Sequence, residues 1–315
     1  MPIEPLMPSA ILPWEADDFE VEPADDTLPT LSLVVPIYNA GAYLERTLRS
    51  LALNNLDGVE VIVMDGASTD ATPDILAHYA QLLDVVVSEP DRGQSDALNK
   101  GFARAGGHVF GWLNGDDLLL PNTLNAVRAA FRDTEAAVVV GNAAMVDLEL
   151  RVTHTFRTDE ERLAFEVLLD YAHNHLVQPS VFFTRAAWKE AGPLDESLHY
   201  AMDADLFLRM ARAHRFRHLP LEVAYSVYHE AAKTRRHRAA SITELALVQA
   251  RHGGFTEARH SLDIMVDLYN DALAGRGERP QGSGEAALIS QRLAAVEAEV
   301  EKNKRLLLRS LERPA

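Results

Sequence analysis

There is no cysteine among the 315 residues of this chain. That excludes disulfide frameworks, zinc–thiolate centres and cysteine nucleophiles, and it fits a reducing compartment. Positive charge is scarce too. Lys and Arg number 30 against 47 Asp and Glu, for a formal net charge of −17. A nucleic-acid binder with a broad basic face is not expected from such a balance. Long hydrophobic runs are missing: none approaches the ~20 apolar residues of a membrane-spanning helix. The N-terminus lacks the basic start and apolar core of a signal peptide. Cytoplasmic residence is the expectation, with peripheral attachment at the inner face of a membrane left open. Residues 1–30 contain no Lys or Arg and carry prolines at 2, 5, 8, 13, 23 and 29. That composition resists regular structure. An acidic arm draped on the domain through Ile11, Leu12, Trp14 and Phe19 is predicted.

What is present is a globular pattern. The hydrophobic fraction of 47% suffices for a real core. Leu31–Ile37 and Val59–Met64 read as strands, and Gly41–Leu53 between them has helical spacing in Leu44, Leu48 and Leu51. A helix follows from Pro73, a short strand at Val85–Val87, a helix at Ala97–Ala105 and a buried strand at His108–Leu113. Ala137–Gly141 and Ser180–Thr184 are later strands, and Asp203–Ala213 is a helix. Strands alternating with helices at this spacing predict βαβ units and a mostly parallel sheet flanked by helices, an α/β fold. The main domain runs over 31–235. A helical hairpin turned at Gly253-Gly254 is expected over 236–274, a Gly- and Pro-containing linker over 275–284, and an amphipathic helix over 285–315. The seam of that helix (Ile289, Leu293, Val296, Val300, Leu307, with Asn303 in register) alternates spacings of four and three, the coiled-coil pattern. A homodimer through it is predicted; an interfacial helix on a membrane surface is the other reading.

Three loops follow strands and carry polar residues: Pro36-Ile37-Tyr38-Asn39, Asp65-Gly66-Ala67-Ser68-Thr69-Asp70 and Asn114-Gly115-Asp116-Asp117. In open α/β sheets ligands bind at the carboxyl ends of strands, so these loops converge on one crevice. Adjacent carboxylates there repel unless a proton or cation joins them. A divalent metal carrying a phosphorylated substrate accounts for the pair, whereas helix capping accounts for one Asp alone. Asp65, at its strand end, can accept hydrogen bonds from a nucleobase or ribose.

These segments are joined by Glu89-Pro90-Asp91-Arg92-Gly93-Gln94-Ser95-Asp96-Ala97-Leu98-Asn99-Lys100-Gly101, Gln178-Pro179-Ser180-Val181-Phe182-Phe183 and Met202-Asp203-Ala204-Asp205-Leu206-Phe207-Leu208-Arg209. Six such segments in this order resemble the inverting family 2 glycosyltransferases of the GT-A fold over about residues 31–235. The resemblance implies a nucleotide-sugar donor, with Pro36, Tyr38 and Asn39 at the nucleobase pocket and Asp65 on the base. It implies Arg92, Gln94, Asp96, Asn99, Lys100 and Asn114 near the donor, and Gln178 facing the transferred sugar or the acceptor. It also implies His229 and Lys233 closing over the diphosphate, Asp116 and Asp117 holding Mg²⁺ or Mn²⁺, and Asp203 as catalytic base. The implied acceptor is a saccharide or lipid-linked saccharide. Two departures stand out. Asn114 occupies the place of the metal motif's first Asp, and Gly66-Ala67 replaces the commoner Asp-Gly. His173 and His175 have a metal-like spacing without a third ligand and are read as loop residues. A non-catalytic nucleotide-sugar-binding scaffold is the alternative. A nucleotidyltransferase would favour a Gly-rich loop after the first strand, which is not found here.

Overall fold

The structure, a computed structural model, describes residues 3–15, 19–133, 135–174 and 176–273. The predicted linker over 275–284, the helix over 285–315 with its expected dimer contact, and His175 lie outside these residues. In chain order the elements are β1 (Leu31–Ile37), α1 (Leu44–Ala52), β2 (Val59–Asp65), α2 (Thr72–His78), β3 (Val85–Ser88), α3 (Gln94–Arg104), β4 (Val109–Trp112), β5 (Leu118–Leu119), α4 (Thr123–Asp133), β6 (Val138–Val146) and β7 (Val152–Phe156). They continue with α5 (Phe165–Leu168), α6 (Tyr171–Asn174), β8 (Val181–Thr184), α7 (Arg185–Ala191), α8 (Met202–Ala213), β9 (Phe216–Val227), α9 (Lys233–Arg236), α10 (Arg238–Arg251) and α11 (Phe255–Leu273). No described helix is long and apolar enough to cross a membrane.

The chain divides into two compact units. Of the described residues, the first takes those up to Ala164, Leu176–Glu196 and Met210–Tyr228; the second takes those from Phe165 to Asn174, Ser197–Arg209 and those from His229 to Leu273. Short helices from the middle of the chain belong with the C-terminal ones.

In the first unit the strands form one sheet in the order β3-β2-β1-β4-β8-β6-β9-β5, with β7 paired to β6. All seven residues of β1 are buried, as a strand covered on both faces requires. β1 is parallel to β2 and β4, and β2 is parallel to β3. The other half is mixed: β8 runs antiparallel to β4 and β6, while β6 and β9 are parallel. The expected parallel βαβ order thus describes the N-terminal half. Registers align Ile37 with Asp65, Asp65 with Ser88, and Val34 with Trp112. These pairings bring the C-terminal ends of β1, β2, β3 and β4 to one sheet edge.

The N-terminal arm is pinned by charge as well as by apolar contact. Glu45, fully buried on α1, accepts the amides of Leu6 and Met7 at 2.5 and 3.0 Å and the Tyr79 hydroxyl at 2.8 Å. Arg49 forms an ion pair with Glu15 and donates to the Ile3 carbonyl at 2.9 Å. Burial pushes the Tyr79 hydroxyl up to about 12, so it stays a donor to Glu45. Leu12 joins Leu53, Leu118, Val146 and Val227 in a core cluster lined by Trp14 and Phe19.

In the second unit α10 and α11 form an antiparallel pair packed through Ala246, Leu247, Ala250 and Ala258. Gly253 turns the chain with φ of 91°, a conformation that favours glycine. Gln249 ties the pair together: it donates to the Leu169 carbonyl at 2.9 Å and accepts the Ser261 hydroxyl at 2.8 Å.

Candidate active site

At the end of β2, the Asp65 carboxylate is buried and saturated within the chain. One oxygen accepts the Ser68 amide at 3.1 Å and hydroxyl at 2.5 Å; the other accepts Ser88 Oγ at 2.5 Å. Asn39 interlocks with the same loop, its amide donating to Ser68 Oγ at 2.7 Å and its Oδ1 accepting the Thr69 amide at 2.9 Å. The loops after β1 and β2 are one polar unit. Tyr38 projects from it, 66% exposed, presenting an aromatic face at the sheet edge.

The unusual Gly66-Ala67 has a structural reason. A Cβ on Gly66 would lie 2.7 Å from an Asp91 carboxylate oxygen and 3.2 Å from the Tyr38 ring. Asp91 occupies the space that an Asp at 66 would need, and its other oxygen accepts the Gly93 amide at 2.8 Å. Asp91 is thus part of this site although it is absent from the residues predicted individually. Its signal was the missing side chain at 66. Ala67 has φ of 62°, left-handed backbone that costs a non-glycine residue about 1–2 kcal/mol.

At the start of α3, Asp96 is buried and gathers two cations. It accepts from the Arg92 guanidinium at 2.9 Å and backbone amide at 3.0 Å, and pairs with Lys100 at 3.1 Å. Hydrogen bonding from Arg92 holds its carboxyl down at about 2. Asp96 is therefore an anchor for cations, a poor group to face a diphosphate itself. Arg92 keeps 73% of its side chain exposed and also meets Glu196 at 2.8 Å. Asn99, expected at the donor, is employed otherwise: its amide nitrogen donates to the Leu194 carbonyl at 3.0 Å and its oxygen accepts the Leu194 amide at 2.9 Å.

The turn after β4 is closed by the Asp117 amide on the Asn114 carbonyl at 3.2 Å. Asn114 is committed here. Its Oδ1 accepts from Gln94 Nε2 and Trp112 Nε1, both at 2.7 Å, and its amide donates to Asp117 at 3.0 Å. The other Asp117 oxygen accepts the Val227 amide at 3.1 Å. Burial, with the neighbouring Asp116 charge, raises the Asp117 carboxyl well above the usual range. Asn114 and Asp117 both build the turn, with their oxygens occupied by protein donors. No described cluster of three or more His, Cys, Asp or Glu residues could hold a metal. Half-buried Asp116 leaves a one-carboxylate donor set. That suits Mg²⁺ or Mn²⁺, which bind through one or two carboxylates plus substrate phosphates and waters.

Gln178 is buried behind β4 and donates to the Trp112 carbonyl at 2.7 Å. Among the described residues its own Oε1 is buried and finds no hydrogen-bond partner. A buried polar atom left so is costly.

The second unit carries Asp203, His229 and Lys233. Asp203 is the second residue of α8, and its Oδ1 accepts the Ala204 amide at 2.8 Å. Burial pushes its carboxyl up to about 6, aided by Glu244 and opposed by Lys233. Asp205 is engaged elsewhere, with His252 and Arg209 each at 3.0 Å. His229 is buried, and the Lys233 ammonium lies 5.5 Å from the centre of the Tyr200 ring. His173 lies in α6, not in a loop as expected, and pairs with Asp170 just before that helix at 2.9 Å.

A strand-end polar loop, an aromatic at the sheet edge and an acidic turn after β4 agree with the profile of Glycosyl transferase family 2, which matches residues 32–187. Over that segment the chain belongs to glycosyl transferase family 2. An uncharacterized glycosyltransferase of Rickettsia typhi is 28% identical over 194 residues, 58% of this chain and 59% of that protein. The match therefore spans less than two thirds of that relative. Two solved structures share the fold. S. aureus TarS (residues 1–349), crystallised with UDP-GlcNAc, superposes with a TM-score of 0.61 at 16% identity, covering 86% of this chain and 81% of its own. The mannosyltransferase PcManGT of Pyrobaculum calidifontis, in complex with GDP-Man and Mn²⁺, gives 0.53 at 19% identity, covering 92% and 91%. The fold of this family 2 chain is GT-A.

Proposed function

We propose that this chain transfers a sugar from a nucleoside-diphosphate sugar to a hydroxyl of a saccharide or lipid-linked acceptor, by direct displacement with inversion. The observation that carries the reading is the shared sheet edge, where the Asp65 loop, Tyr38, Arg92 and the Asp116 turn stand at the ends of adjacent strands in a family 2 domain. Binding of donor by the neighbours, UDP-GlcNAc by TarS and GDP-Man by PcManGT, supports a nucleotide-sugar donor here.

In this reading Tyr38 stacks on the nucleobase beside the loop that Asp65 braces through Ser68 and Ser88. Arg92, held ready by Asp96, turns its exposed guanidinium to the diphosphate, with Lys100, His229 and Lys233 adding donors to the charge that develops on the leaving group. Gln178 offers its unpartnered Oε1 to a sugar hydroxyl. Asp203 accepts the proton of the acceptor hydroxyl as that oxygen bonds to the anomeric carbon and the bond to the diphosphate oxygen breaks. Its raised carboxyl is a better base than an ordinary Asp while still ionised near neutral pH. A Mg²⁺ or Mn²⁺ ion carried in with the diphosphate would be held by Asp116 and would neutralise leaving-group charge.

The commitment of Asn114 to the protein favours one alternative, a nucleotide-sugar-binding scaffold without turnover. Incubation with UDP-GlcNAc and GDP-Man, each with Mn²⁺ and with chelator, separates the two. The transferase releases nucleoside diphosphate only with the cation. A scaffold shows a thermal shift with a donor and no release under either condition.

A further inference from the structure

Glu244 lies in the middle of α10, far in sequence from the family 2 segment, and its side chain is fully buried. A carboxylate removed from water is costly unless donors replace the water. Here one oxygen accepts three successive backbone amides: His199 at 2.7 Å, Tyr200 at 2.6 Å and Ala201 at 2.9 Å. Those amides form the approach to α8, whose second residue is Asp203. Hydrogen bonds to an ionised acceptor are stronger than neutral ones. Glu244 therefore fixes the backbone from which Asp203 projects.

The same carboxylate acts on Asp203 through space. Among the described residues, Glu244 from α10, Lys233 from α9 and the amides of Asp203 and Ala204 on its own helix act on that residue. Lys233 sits over Tyr200, the middle residue of the clamped turn, and the His237 ring lies 5.9 Å from the same ring. Asp205, the neighbouring carboxylate, is paired with Arg209 and His252. The negative charge opposing ionisation of Asp203 thus comes from the residue that clamps its turn.

We infer that Glu244 is a positioning residue for Asp203, holding the turn that launches α8 and setting the charge around the carboxylate. This rests on the reading of Asp203 as the base. Glu244→Gln keeps an oxygen for the three amides and removes the charge; Glu244→Ala removes both. Titration of the full chain with ¹³C-labelled Asp side chains reads Asp203 directly, its signal identified by its loss in Asp203→Asn. The wild-type midpoint is expected at about 6. In Glu244→Gln it should fall by at least ~0.5 unit, the scale of a nearby screened charge. Nucleoside diphosphate release from UDP-GlcNAc or GDP-Man should then keep its donor KM in both variants. Its acid limb should move down in Glu244→Gln, and kcat should drop about tenfold in Glu244→Ala. An unmoved midpoint in Glu244→Gln, with Asp203→Asn inactive, overturns the role of Glu244 alone. A fully active Asp203→Asn overturns the base reading, and the assignment of Glu244 falls with it.

Discussion

At the scale of residues, Ala67 and Asp203 show how the site departs from local optima. Ala67 holds left-handed backbone between Gly66 and Ser68. Replacing it by glycine removes a steric penalty, so Ala67→Gly should raise the denaturant-derived stability by about 0.5–1 kcal/mol, with the same slope. A loss of stability would mean the Ala methyl packs usefully. Asp203 is stored at a cost of the opposite kind. Its folded carboxyl titrates at about 6, above its ordinary value of 3.8. The proton is therefore bound more tightly in the folded chain, and that stabilisation is lost as pH rises from about 4 through 6. Asp203→Asn should be more stable than wild type at pH 7 and equal to it at low pH, while losing transfer by at least ~100-fold. Melting curves at pH 4 and pH 7 check the first part. Wild-type turnover should also fall as pH drops through about 6. What was legible was position: Asp65 ends β2 and Asp116 lies in the turn after β4, the strand ends where the polar loops were expected. Their partners were not legible. Nothing in the spacing says that Leu194 uses both ends of the Asn99 amide, or that Asn114 and Asp117 spend their oxygens on Trp112, Gln94 and Val227. Those bonds join positions 2 to 110 apart, and only the fold brings them together.

At the scale of elements, the arm and α1 form a charge-lined contact. Arg49 contacts Glu15, the Ile3 carbonyl and Tyr79, and Glu45 takes two arm amides. Arg49→Met should leave Glu15 beside a buried carboxylate without its cation, costing about 3–5 kcal/mol. Limited proteolysis should then cut within residues 1–30 before any site in the sheet. Equal resistance in both proteins would mean that Leu12 and Trp14 hold the arm alone. Composition made the arm legible as an acidic segment with something to bury. It could not show that Glu45 and Arg49, on the buried face of α1, were its anchors. The parallel β1–β4 half was legible because each strand is followed by a helix at regular spacing. The mixed half was not: β6, β8 and β9 are joined by irregular segments whose direction the apolar pattern does not encode.

At the scale of the whole molecule, the family 2 profile covers residues 32–187, and Asp203, His229, Lys233 and Glu244 belong to the second compact unit. The seam over 285–312 is proposed as a dimer contact. The full chain should run as a dimer by size exclusion with light scattering, and a chain ending at 284 should run as a monomer that still binds UDP or GDP. A dimeric truncation would move the interface elsewhere. The central claim is sugar transfer with inversion by an Asp base. Its most direct measurement is the anomer formed when a donor is turned over, read by proton NMR before mutarotation. With α-linked UDP-GlcNAc or GDP-Man and Mn²⁺, the first sugar released or transferred should be the β anomer. Early appearance of the α anomer would contradict direct displacement and the single-base mechanism assigned to Asp203.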